Sequence, residues 1–346
     1  MSAAAGHSHW SRPASLLAGL FFIAAFPAIA DAPRAAAPPR SIVVRATPIE
    51  SFDNRDTSRR QFGALEFRGG LQLTSSDKQF GGISAIHVAG DGGAFIALSD
   101  KGQWLRGRIV YQAGRPAGIA NAEMAPILGA DGFPLAARGW FDTESIAADG
   151  GTLYVGIERV NEIVRFDYGR DGLLARGQRI ALPPEIKTLP YNRGLEALVF
   201  VPRGSPLAGT LIAISERGLD SAGNIRGFLI GGPRPGDFTI KRSGDYDISD
   251  AALLPGGDLL VLERHYSIAR GVAMRLRRIA QNSVRPGMLL DGPVLVEADL
   301  GFQIDNMEGL AVHRTAQGEV VLTLVSDDNF SAIQRTILLQ FTLLEP

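Results

Sequence analysis

Glu196-Ala197-Leu198-Val199-Phe200, a turn rich in Pro and Gly, and then Leu211-Ile212-Ala213-Ile214-Ser215-Glu216-Arg217 form one of five related units that decide the fold. An acid stands before a short apolar strand, the chain reverses, and a second apolar strand ends in another acid. The plan recurs in Gly82-Ile83-Ser84-Ala85-Ile86 with Ala94 to Asp100, and in Glu144-Ser145-Ile146-Ala147 with Leu153 to Arg159. It recurs again in Asp250-Ala251-Ala252-Leu253-Leu254 with Leu259 to Arg264, and in Glu308-Gly309-Leu310-Ala311-Val312 with Val320 to Asp328. Units start roughly 52 to 60 residues apart, somewhat more than the ~40 to 50 of common propeller repeats.

A fixed period in a chain of short Val-, Ile-, Leu- and Phe-rich runs predicts an all-β fold, and specifically a β-propeller of four-stranded antiparallel blades. The second strand of each unit is apolar on both faces, as a strand sandwiched between neighbouring blades must be. A two-sheet sandwich would alternate instead. Ser41 to Phe80 holds strand-like Ile42-Val43-Val44 and Leu71-Gln72-Leu73-Thr74 outside the five units. That leftover length favours six blades, with five as the alternative. The run Ile337 to Phe341 is expected to pair with N-terminal strands and close the ring, removing an exposed edge.

Outside the repeats, residues 1–30 carry one Arg (Arg12), an apolar run from Ala14 to Ala30 and the small-x-small pattern Ala28-Ile29-Ala30. This order predicts a secretory signal peptide, with a single membrane anchor as the alternative. The mature chain would be periplasmic or secreted, without a stable membrane anchor. Residues 31–40, dense in Ala and Pro, read as a lead-in, and residues 41–346 as a single domain.

Composition excludes whole classes. There is no Cys, hence no disulfide, no thiolate chemistry and no Cys-type zinc site. The formal net charge is −1, so nothing marks a nucleic-acid binder. No Gly-x-Ser-x-Gly elbow, Walker motif or dinucleotide fingerprint occurs.

The repeats also place chemistry. Antiparallel pairing puts the acid before strand one and the acid after strand two on the same rim. That rim is expected to gather Glu144, Glu196, Asp250 and Glu308 from strand starts, and Asp100, Glu158, Glu216, Glu263, Asp327 and Asp328 from strand ends. So many carboxylates need compensation. Neighbouring arginines offer one kind, because Arg159, Arg217 and Arg264 follow strand-end acids and Arg193 precedes Glu196. A hard cation such as Ca²⁺, which takes six to eight oxygen ligands, offers another. Of the histidines, His87 and His313 fall within apolar strands and read as core residues, whereas His265 follows Glu263-Arg264 and could carry a proton at the rim.

The units resemble the phytase-like domain family, described as esterase-like activity of phytase. The matching features are Phe80-Gly81-Gly82-Ile83-Ser84, Asp142-Thr143-Glu144-Ser145, Arg193-Gly194-Leu195-Glu196-Ala197, Ser215-Glu216-Arg217, Asn306-Met307-Glu308-Gly309-Leu310 and Ser326-Asp327-Asp328-Asn329. The resemblance implies an exported propeller similar to calcium-dependent phytases, hydrolysing a small-molecule ester or phosphate ester as a monomer. It implies calcium held by Glu144, Glu196, Glu308 and Asp328, phosphate oxygens bound by Arg159, Arg193, Arg217 and Arg264, and Glu196 and His265 as catalytic groups. Phytate is highly anionic while this mouth is acidic, so a less charged ester would fit better. A non-catalytic propeller that binds a ligand or protein, and a lactonase-like metal hydrolase, are the alternatives.

Overall fold

The computed structural model describes residues 37–344, and the signal-peptide expectation lies outside them. Five sheets account for the strands. The innermost strand of each is the first apolar strand of one repeat: Ile83–Val88, Thr143–Asp149, Leu195–Phe200, Asp247–Leu253 and Asn306–Arg314. These five strands contact one another in cyclic order, the last returning to the first, so the ring closes on five blades.

The six-blade expectation is therefore wrong, and the reason lies in Ser41 to Phe80. Those residues build no sheet of their own. Leu65–Ser75 pairs antiparallel with Thr336–Leu343, Val44–Ile49 adds outside it, and both complete the fifth blade. Arg40–Ser41 adds to the outer strand of the first blade. Chain ends thus meet in one sheet, with Leu339 opposite Gly70, as expected for ring closure.

Blade size also varies. The second and fourth blades are four-stranded, whereas the others carry extra outer strands. One of these, Leu289–Leu290, leaves the fourth repeat to pair in parallel with Gly236–Ile240 of the third blade.

There is one apolar core per blade junction rather than one central core. Ile212 and Ile214 of the third blade pack with Leu259 and Val261 of the fourth. Trp104 and Leu98 of the first meet Val155 and Phe166 of the second. Val320–Asp327 is buried along its whole length. Each such strand is covered on both faces, and this is why the sequence shows apolar runs rather than alternation. Burial on this scale, at roughly 25 cal/mol per Å² of apolar surface, is what stabilises a chain without disulfides.

A candidate active site on the propeller axis

The five inner strands share an irregularity that sets the site. In each, pairing with the second strand skips one residue: Ser84, Glu144, Glu196, Ser249 and Glu308 in blade order. A bulge of this kind leaves one residue unpaired and re-aims its side chain. On the facing strands, the residue that follows the pair on the rim side of the bulge is Asp100, Glu158, Glu216, Arg264 and Asp327 in the same order.

Two rings result. The bulge ring reads Ser, Glu, Glu, Ser, Glu, and the strand-end ring reads Asp, Glu, Glu, Arg, Asp. Every charged member of both rings lines one cavity of about 250 Å³. Asp142, Asn192 and Asn329 complete its wall. The two serines turn aside: Ser84 Oγ donates to the Thr143 carbonyl (2.5 Å) and Ser249 Oγ points at the Leu262 carbonyl (3.5 Å).

The cavity therefore holds eight carboxyl groups and one guanidinium. Arg264 is the counter-charge at its centre, its Nη1 3.2 Å from Glu308 Oε1 and its Nη2 3.4 Å from Glu216 Oε1. It also donates to Asn306 Oδ1, and Asn306 Nδ2 donates to Glu308 Oε1 (2.7 Å). Burial works against its charge, but Glu308, Glu196, Glu216 and Asp327 outweigh that and raise its pKa.

With Asp142 paired to Arg159, Arg264 alone cannot balance the other seven acids. Burial first, then repulsion from Glu216, pushes Glu158 up to about 8, although the Gly194 amide donates to its Oε1 (2.8 Å). Asp327 is likewise pushed up to about 8, by burial and then by Glu308. Burial raises Asp100 to about 6, with Lys101 opposing. Glu144 and Glu196 are displaced well upward, by burial first and then by the neighbouring acids. Glu216 and Glu308 shift the same way through burial, held back by Arg264. Carboxyls whose charged form is this disfavoured will take a proton or a cation.

The expected site residues separate clearly. Glu144, Glu196, Glu308 and Arg264 come together in the cavity. Asp328 does not line it. Its Oδ1 accepts from the Gly82 amide (2.8 Å) and the Phe330 amide (3.1 Å), and its Oδ2 from Thr336 Oγ1 (3.0 Å). It clamps the fifth blade to the first, at a point where Gly82 adopts φ +61° and a Cβ would meet Asp100 and Phe330. Arg159 turns to Asp142 (3.0 Å) and stacks on Phe141, Arg217 pairs with Asp247, and Arg193 is exposed. None of these three pairs with the acid beside it in sequence. His265 stands outside the cavity, with Nδ1 3.2 Å from the Asp245 carbonyl and its ring against Tyr246.

Two expected rim acids are not at the rim. Asp250 is buried between the inner strands of the fourth and fifth blades, accepting from the Leu310 (2.6 Å) and Ala251 (2.8 Å) amides. Glu263 is fully buried inside the fourth blade, with Arg275 Nε at 2.6 Å and Arg277 also on its carboxylate. Conversely, Asp142, Asn192 and Asn329 line the cavity from loops. Asn329 and Asp142 have φ of +48° and +60°, and Asn and Asp before a strand or after its end were the available signal.

Among the described residues no group of three or more acids or histidines stands close enough to hold a metal ion as placed. The donor set is nonetheless all oxygen, concave and strongly anionic.

The family model for the phytase-like domain, described as esterase-like activity of phytase, matches residues 78–330. The chain belongs to this family. The matched span contains every acid that lines the cavity. No curated protein matches the chain significantly. Among solved structures, the chain is similar to Myxococcus xanthus glutaminyl cyclase at 10% identity, covering 76% of this chain and 90% of that one, TM-score 0.39. It is similar to the PQQ-bound aldose sugar dehydrogenase of Streptomyces coelicolor at 12% identity, covering 88% and 99%, TM-score 0.39. YCF48 bound to D1 peptide aligns at 11% identity over 77% of this chain and 67% of that one, TM-score 0.35. Likenesses this distant say nothing about chemistry.

Proposed function

We propose that this protein is an exported ester hydrolase that works in the axial cavity with a hard divalent cation, calcium by donor chemistry. One observation carries the reading: bulges at the same position in the inner strands bring Glu144, Glu196 and Glu308 into a ring of acids with a single arginine. A site evolved only for packing has no reason to concentrate charge so poorly balanced.

The donors fit Ca²⁺ in kind, being carboxylates with amide oxygens of Asn192 and Asn329 at hand. Glu144, Glu196 and Glu308 would hold it, which requires their side chains to turn toward one another from their present placement. Asp328, spent on the blade junction, has no part. When bound, the cation supplies the positive charge that the anionic cavity lacks and polarises the ester.

Arg264, held by Glu216, Glu308 and Asn306, presents a guanidinium whose charge is secured by its neighbours and which can receive a substrate oxygen. Glu196, as a carboxylate on the cavity wall, can take a proton from the water that adds to the ester and pass it to the departing alcohol, yielding acid and alcohol. His265, outside the cavity, takes no part.

Assay of the purified protein against p-nitrophenyl phosphate and p-nitrophenyl acetate, with Ca²⁺ and with EGTA, tests this. Turnover of at least one ester should need Ca²⁺ and fall on the order of 100-fold in Glu196→Gln. No turnover of either, together with a melting temperature indifferent to EGTA, overturns it.

A further inference from the structure

The axial cavity does not end at its own wall. A groove of about 620 Å³ adjoins it between the fourth and fifth blades, and Arg264 and Asn329 line both spaces. Beyond those two residues its character changes. Tyr266, Val272, Leu300, Ile304 and Ile333 face it. Three of them are largely exposed: Ile333 at 92%, Tyr266 at 67% and Leu300 at 59%. Large apolar side chains scattered singly on a surface need no explanation, but several around one concavity mark a place where apolar surface is meant to be covered.

The polar groups of the groove are already committed. Asp305 and Arg335 face each other at 3.5 Å. Asp305 also accepts the Asn306 and Arg335 amides, and Arg335 donates to the Ile304 carbonyl and to Gln303. Arg335 is thus committed within the groove, and Arg264, at its inner end, is the one guanidinium left to meet a substrate oxygen among the residues that line it. Gly271, at φ +71°, keeps the hairpin low enough for Leu300 to lie across it, where a Cβ would stand 2.4 Å from Leu300 Cδ1.

We infer that this groove binds the acyl chain of the substrate, and that the substrate is a carboxyl ester with an uncharged apolar acyl arm rather than a polyphosphorylated compound. The ester carbonyl lies at Arg264, where cavity and groove meet, and the chain extends past Val272 and Leu300 toward Ile333. A polyanion entering the same mouth meets the ring of carboxylates, and beyond it only Arg335, which is already paired with Asp305. An alkyl chain meets apolar walls, and each methylene it buries strengthens binding.

The assignment of the reacting bond rests on the hydrolase reading, whereas the binding of an apolar chain does not, and two measurements separate them. The first is kcat/KM for p-nitrophenyl acetate, butyrate and octanoate with Ca²⁺ present. The value should rise about tenfold for every two methylenes added, and p-nitrophenyl phosphate should be the poorest substrate. In Ile333→Arg and Leu300→Arg, which alter exposed side chains, the octanoate-to-acetate ratio should drop by about tenfold. Val43→Arg, equally exposed but beside the outer strand of the fifth blade, should leave the ratio as in the wild type. The second is calorimetric binding of octanoate, which needs no turnover and should weaken in parallel in both groove variants.

Esters hydrolysed with no dependence on chain length, or a ratio untouched by both groove variants, overturn the groove while leaving the hydrolase standing. Octanoate binding that the groove variants abolish, with no ester turned over, keeps the groove and removes the hydrolase. Neither chain-length dependence nor octanoate binding removes the groove altogether.

Discussion

The third and fourth blades carry nearly the same sequence at the rim, Ser-Glu-Arg at 215–217 and Leu-Glu-Arg at 262–264, yet they use it oppositely. In the third, Ser215 pairs with Leu195 and Glu216 enters the cavity. In the fourth, Glu263 itself takes the paired position, opposite Ile248, and Arg264 enters the cavity instead. A register displaced by one residue exchanges the faces of a strand. The acid goes from cavity wall to buried ion pair, and an arginine takes its place. That exchange gives the cavity its only positive charge, so the departure from the repeat is as consequential as the repeat.

The largest test of this difference is removal of each glutamate in turn. Glu263→Ala leaves Arg275 and Arg277 buried without their carboxylate and should cost about 3–5 kcal/mol by chemical denaturation. Glu216→Gln should leave stability equal or higher at pH 8, because it relieves a crowded ring. Equal losses for the two would erase the distinction.

A smaller effect is expected from pH. The folded protein holds protons on Glu158 and Asp327 up to about pH 8, against ordinary values of 4.5 and 3.8. The native state therefore binds more protons than the unfolded chain between those limits, and stability falls as pH rises from about 4 to about 8. Thermal melts from pH 5 to pH 8 should show that decline, Glu158→Gln should flatten it, and added Ca²⁺ should counter it at pH 8 while releasing protons. A melting temperature that climbs over this range in the absence of Ca²⁺ would contradict the crowded ring.

The smallest effect belongs to Asp250, the other acid the fourth blade withdraws. Asp250→Asn retains an acceptor oxygen for one of the Leu310 and Ala251 amides and loses the other bond, which should cost about 1 kcal/mol. Hydrolysis should follow stability alone, since Asp250 is absent from the cavity wall.

Much of this was legible before any coordinates. Five related strand pairs, all ending and four also beginning with an acid, announced a propeller with an acidic rim, and Glu144, Glu196 and Glu308 line the axial cavity. Three readings were not recoverable in that way. Ser41 to Phe80 looked like material for a sixth blade, because strand propensity says nothing about which sheet a strand joins. Arg159 and Arg217 looked like partners of Glu158 and Glu216, but their guanidiniums go to Asp142 and Asp247: Glu216 and Arg217 are adjacent on a strand and point to opposite faces, and Glu158 and Arg159 sit in a short 3-10 turn. Asp142, Asn192 and Asn329 come from loops outside the repeat.

The sequence by itself determined the all-β repeat, the two-sided burial of its strands and the recurrence of acids at a rim, because periodicity and apolar content are local properties. Only the tertiary structure decided that five blades close the ring and which acids face the axis. Closure depends on how N- and C-terminal strands share one sheet, and orientation depends on a bulge and a register that no single strand encodes. The rim of acids is thus a property of the repeat, whereas its single arginine is a property of one shifted pairing.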